Sequence, residues 1–104
     1  MDPPISPDED VDDYFGEIAT ALGRHFGYPI SHSEALVREY YGKFIDPAFC
    51  RSIGFRVHDD ELFFHEGGFE MVLSIHYYLV LKGDPSREAY LRWRREYVSA
   101  YLGA

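Results

Sequence analysis

From Val11 onward, Val11, Tyr14, Phe15, Ile18, Leu22 and Phe26 recur at intervals of three and four residues. That spacing sets one apolar face of an α-helix toward a core. Ser6-Pro7-Asp8-Glu9 stands before them, with a capping residue, a proline at the first helical position and an acid three residues after the cap. Gly27 follows as a stop. A second run carries Leu36, Val37, Tyr40, Tyr41 and Phe44 behind the cap-like Ser31-His32-Ser33-Glu34. Asp46-Pro47 opens a third, short helix with Phe49, Cys50 and Ile53 inward and Gly54 as its end. Gly67-Gly68 breaks the chain before Phe69 to Lys82, where apolar residues stand almost all round, as in a central helix wrapped by others. Gly83 stops it, and Asp84-Pro85 opens a last helix running to about Leu102.

Between these runs, Phe55 and Val57 alternate with Arg56 and His58 as in a strand, and Asp59-Asp60 reads as a turn. The same aspartates would equally cap a helical turn through Leu62 and Phe63. The pattern favours a short extended pair or irregular loop near residues 55–64. The expected fold is mainly α: a compact bundle of four helices plus one short helix, with residues 1–5 as a frayed tail and 6–104 as a single helical domain. Phe69, Leu73, Ile75, Leu79, Val80 and Trp93 are expected in the core.

Composition supports a real core in so short a chain. Nine Tyr, eight Phe and one Trp give an aromatic fraction of 17%, and aromatic side chains bury large areas per residue. Cys50 is the only cysteine, so no intrachain disulfide forms, which fits a reducing compartment. No basic, apolar leader opens the chain, and Phe69–Leu81 is too short and too polar to span a bilayer. The expectation is a soluble, cytoplasmic protein.

Charge changes the picture most. Of the 18 acids, Asp2, Asp8, Glu9, Asp10, Asp12, Asp13 and Glu17 precede the first base, Arg24, and the rest of the chain is nearly balanced. With a pI near 4.9 and no basic stripe, nucleic acid is disfavoured as a partner. Acids in a first helical turn complement the helix dipole, which accounts for Asp8, Glu9 and Asp10. Asp12, Asp13 and Glu17 continue the field beyond it and are the candidate partner-binding residues.

Candidate chemistry is sparse. His58, His65, Glu66 and His76 are zinc-ligand types, but His65-Glu66 is followed by Gly67, Gly68 and Phe69, not by a second histidine on one helix face. No metal and no cofactor are expected. Cys50, beside Phe49 and Ile53, reads as a small buried hydrophobe and not as a nucleophile. Gly67-Gly68 at a helix entry lacks a phosphate-loop lysine and lies between Glu66 and Glu70, which oppose an anion. On the last helix, at about 100° per residue, Arg87 and Arg94 fall between two apolar arcs. A guanidinium there needs an acceptor, and Glu70, interrupting the apolar face of the central helix, is the expected partner.

In size, charge and helical content the chain is similar to small acidic bacterial immunity proteins and antitoxins, a likeness of kind carried by no motif. The favoured function is a non-catalytic protein-binding module docking a basic protein partner. The alternatives are a small metal-assisted enzyme using His58, His65, Glu66 or His76, and a homodimer formed through the C-terminal helix.

Overall fold

Helix caps decide where each element begins. Residues 1–103 are described by a computed structural model, and these contain six α-helices, one π-helical turn and no strand. Helix α1 spans Glu9–Phe26. Its cap is Asp8, which accepts from the Asp10 and Val11 amides at 2.9 and 3.3 Å. The start therefore falls beyond Ser6, whose hydroxyl accepts from the Asp8 amide at 3.1 Å and donates to Asp60 Oδ2 at 2.8 Å. Gly27 ends α1 with φ 79°, a left-handed conformation that suits glycine.

Helix α2 (Ile30–Phe44) begins directly after Pro29, with no side-chain cap. The Ser31–Glu34 signal does not mark its start, because the Tyr28-Pro29 turn already feeds the helix. Ser33 instead faces α1 at Gly23 and is fully buried. A Cβ on Gly23 would stand 2.9 Å from the Tyr28 carbonyl oxygen and 3.0 Å from Ser33 Oγ, so glycine permits this close approach. Helix α3 (Pro47–Ile53) follows its sequence signals: Asp46 caps it by accepting from Ala48 N at 3.0 Å, and Gly54 closes it with φ 74°.

Residues 55–59 are irregular, and no extended pair forms among the described residues. The His58 amide donates to the Phe44 carbonyl at 2.8 Å, but this single bond has no strand ladder around it. Asp59 takes the capping role, accepting from Leu62 N at 2.8 Å, and opens helix α4 (Asp60–His65). Helix α5 (Gly68–Ile75) runs into the π-helical turn His76–Val80. Lys82 then turns left-handed at φ 51°. Ser86, two residues beyond Asp84, caps helix α6 (Arg87–Tyr101), accepting from Ala89 N at 3.1 Å.

The core lies between α1, α2 and α5. Phe15, Leu22, Val37, Tyr40, Phe44, Met71, Val72 and Ile75 are buried there, and Phe63 of α4 closes one end. Phe15 meets Tyr41 and Phe63 edge-on at 5.4 and 5.3 Å. Leu73, Ile75 and Leu79 are buried as the apolar pattern suggests, while Val80 and Trp93 are half-buried. Phe69 departs from expectation at 43% exposed. It sits in the first turn of α5 and meets the His25 and Tyr101 rings at 5.5 and 6.1 Å.

Helix α6 buries none of its residues fully. It rides on a row of rings in which Trp93 stacks on Tyr97 at 5.3 Å and Tyr97 on Tyr101 at 6.3 Å. His25 Nε2 and Tyr97 Oη, 2.6 Å apart, tie it to α1. The radius of gyration is 13.5 Å, close to the ~13 Å of a compact chain this long.

Candidate functional site

The acids of α1 divide by helical geometry. Asp12 lies one residue from Val11 and a turn before Phe15 and Gly16, so the chain leading into α1 passes over it, and it is only 8% exposed. Its carboxylate accepts from the amino group of Met1 at 2.6 Å and from Ile5 N at 2.7 Å. The hydrogen bond from that amino group, then the one from Ile5, hold its pKa below the usual carboxylate value. Asp12 is therefore a fastening inside the fold, not part of a docking face. Residues 1–5 do not fray from the body either, since Met1 and Ile5 pack against the core. Asp13 and Glu17 point to solvent.

Helix α4 adds acids that the charge pattern of the first helix did not include. Asp60 and Glu61 border a shallow groove with Asp8 and Asp10, floored by Val11 and edged by Phe64. Asp60 also accepts from Tyr41 Oη at 2.9 Å. Phe64, 47% exposed, stacks on Tyr14 at 5.2 Å and 18°. On the other side of Tyr14 opens a groove of about 550 Å³ with Ile18, Phe69, Val72 and Tyr101 as its apolar lining and Glu17 and Arg24 beside them. One strip thus runs along α1: an acidic end, an aromatic middle and an apolar groove flanked by Glu17. Asp8, Asp10, Asp13 and Glu17 have no Lys or Arg within 4 Å among the described residues.

Of the four proposed metal ligands, His58 and Glu66 come together, while His65 and His76 lie elsewhere. His58 Nε2 lies 3.6 Å from Glu66 Oε2, and Tyr40 Oη donates to Glu66 Oε1 at 2.8 Å. Burial first, and Glu66 second, push the Tyr40 hydroxyl well above its ordinary pKa. His65 is out in solvent, 3.9 Å from Glu61 Oε1. His76 lies flat against Phe26, centroids 3.8 Å apart at 6°, with Nδ1 3.2 Å from Tyr28 Oη. Among the described residues no cluster of three or more His, Cys, Asp or Glu is placed to hold a metal ion. Cys50 is buried, its thiol directed at the Phe44 carbonyl oxygen 3.3 Å away, and burial raises its pKa, which opposes thiolate formation.

Arg94 donates through Nε to Glu70 Oε2 at 2.8 Å and through Nη2 to Glu70 Oε1, a two-pronged pair. Its two side chains are 34% and 40% exposed, so solvent weakens it. Arg87 is exposed and has no carboxylate within 4 Å among the described residues. No family model, curated protein or solved structure matches this chain. The fold and the strip define an all-helical domain with an acid-flanked aromatic surface. Asp60, Glu61 and Phe64 escaped the sequence reading because they reach the strip only once α4 is helical. The Asp59-Asp60-Glu61 run was their one local signal.

Proposed function

We propose that this chain is a non-catalytic protein-binding module whose α1 strip docks a basic segment of a partner protein. The observation that carries the reading is the junction of exposed aromatic rings with acids that have no Lys or Arg within 4 Å among the described residues. Phe64, Phe69 and Tyr101 are 47%, 43% and 57% exposed, and Asp13, Glu17 and Glu61 stand exposed along the same strip. Aromatic anchors supply contact area, and a one-signed field speeds encounter with the opposite charge. The occupant that fits is a Lys- or Arg-bearing segment with one apolar side chain for the groove beside Phe69. Capping of a basic toxic enzyme, as immunity proteins and antitoxins do, is an activity of this kind.

The test uses a partner captured from the native host and association measured at several salt concentrations. Asp13→Asn with Glu17→Gln should slow association and flatten its salt dependence, since screening acts over about 10 Å at 0.1 M. Phe69→Ala should speed dissociation. Asp12 is left unchanged because its substitution would disturb the fold. A partner indifferent to salt, to the charge pair and to Phe69→Ala would overturn the reading.

A further inference from the structure

A second cavity, with lining residues distinct from those of the α1 groove, lies beneath α6. It encloses about 630 Å³ and has α6 as one wall, a size in the usual range of small-molecule sites, about 300–1,000 Å³. Phe44, Phe55, Tyr78 and Tyr90 give it aromatic sides. Phe55 meets Tyr78 edge-on at 5.3 Å, and Tyr78 stacks on Tyr90 at 5.4 Å.

Its charge runs against that of the whole chain. Three arginines, Arg56, Arg87 and Arg94, and two glutamates, Glu66 and Glu70, line it, in a protein of net charge −8. Arg94 and Glu70 neutralise each other, and Glu66 is engaged by Tyr40 and His58. Arg56 and Arg87 have no carboxylate within 4 Å among the described residues. The cavity is therefore locally positive.

The wall also holds an unmet polar group. Tyr78 Oη is closed off from solvent and has no hydrogen-bond partner among the described residues. Buried hydroxyls are normally paired, and an exception calls for a reason. Tyr78 belongs to the π-helical turn His76–Val80, a distortion that recurs at functional sites. The Arg87 charge acts on the Tyr78 hydroxyl, favouring its ionised form against the larger effect of burial.

From these features we propose that the cavity under α6 binds a small aromatic carboxylate, its flat body between the aromatic walls and its anion on Arg87. Arg56 adds to the attracting potential. Helix α6 buries no residue fully and reaches this wall through the Tyr78–Tyr90 stack, the half-exposed Arg94–Glu70 pair and a Ser74–Tyr90 hydroxyl contact of 3.2 Å. The site is separate from the α1 strip, and its success or failure leaves the docking reading untouched.

The probe is 2-naphthoate, titrated into the isotope-labelled full chain while amide shifts are followed. Saturable changes should centre on Ser74, Tyr78 and Leu91, with a dissociation constant of about 1 mM or tighter for so small a ligand. Arg87→Gln should weaken binding at least about fivefold. Arg92→Gln, an equal charge change on the solvent face of α6, should leave it unchanged. 2-Naphthylmethanol, the uncharged analogue, should bind more weakly than 2-naphthoate and should not distinguish Arg87→Gln from the unaltered chain. Both arginines are exposed, so the variants should fold. Unsaturable binding, shifts centred on the Phe69 groove, or equal effects of Arg87→Gln and Arg92→Gln would overturn the proposal.

Discussion

Replacing Gly83 by alanine should loosen the junction on which α6 is mounted. A Cβ built there would lie 2.3 Å from Tyr77 Cζ, 2.4 Å from Cε1 and 2.7 Å from the hydroxyl. Comfortable carbon contacts begin near 3.5 Å, so the ring must retreat by more than about 1 Å. It has little room. Tyr77 is 5% exposed, held between Tyr78, Trp93 and Tyr90 at 5.0, 5.1 and 5.3 Å, and its hydroxyl donates to the Asp84 carbonyl at 2.7 Å. Overpacking of this kind costs about 1–3 kcal/mol, and loss of the hydrogen bond about 0.5–1.5 kcal/mol. The lower chain entropy of alanine in the unfolded state returns about 0.4–1 kcal/mol. A net loss of about 0.5–4 kcal/mol remains, set against the roughly 5–15 kcal/mol that stabilises a domain. Urea unfolding followed by the fluorescence of Trp93, whose ring lies 5.1 Å from that of Tyr77, should show the midpoint fall by about 0.3–2 M at a slope of about 2 kcal/mol/M. Gly42→Ala is the control: nothing lies within 4 Å of its built Cβ, and inside α2 it should gain about 0.5–1 kcal/mol. In a Tyr77→Ala background the cost of Gly83→Ala should largely vanish, as coupled neighbours require. A Gly83→Ala protein as stable as Gly42→Ala, or a cost that survives removal of Tyr77, would refute the reasoning.

His76 should make stability sensitive to mild acid. Burial, then the nearby charge of His25, lower its pKa below the ordinary histidine value of 6.5, so the unfolded chain binds the proton more readily. The neutral ring's contribution is full above that value and is lost as pH falls below it toward the folded pKa. The urea midpoint should therefore drop between pH 7.5 and 5.5, and His76→Gln should drop less over the same interval; equal drops would remove His76 as the cause. Arg94→Met should cost only about 0.2–1 kcal/mol, because more than a third of the Arg94–Glu70 pair's acidic side chain is open to water. A loss above about 2 kcal/mol in urea titration would show the pair to be shielded.

Much of the chain's local organisation is legible residue by residue. The Val11-to-Phe26 spacing, Asp46-Pro47 with Gly54, and the apolar density around Met71–Ile75 each specify a helix through interactions spanning no more than a few residues. Asp59 as a cap was legible too, but Phe55 and Val57 favoured a strand reading, and a strand needs a partner strand that the fold does not supply. The pairing of Arg94 with Glu70 was inferable because a guanidinium between apolar arcs needs an acceptor. Three matters were decided only by tertiary structure. Asp12 is a fastening because the chain before α1 folds back over it, while Asp13, one residue on, faces water. Phe69 is surface and not core because only the rings of His25 and Tyr101, from α1 and α6, stand over it among the described residues. The cavity under α6 exists because that helix stands off the body on aromatic rings, bringing Arg56 and Arg87 beside Tyr78 across some thirty residues of sequence. Periodicity within a helix shows which residues share a face, but what covers that face depends on segments distant in sequence, and no local spacing encodes that meeting.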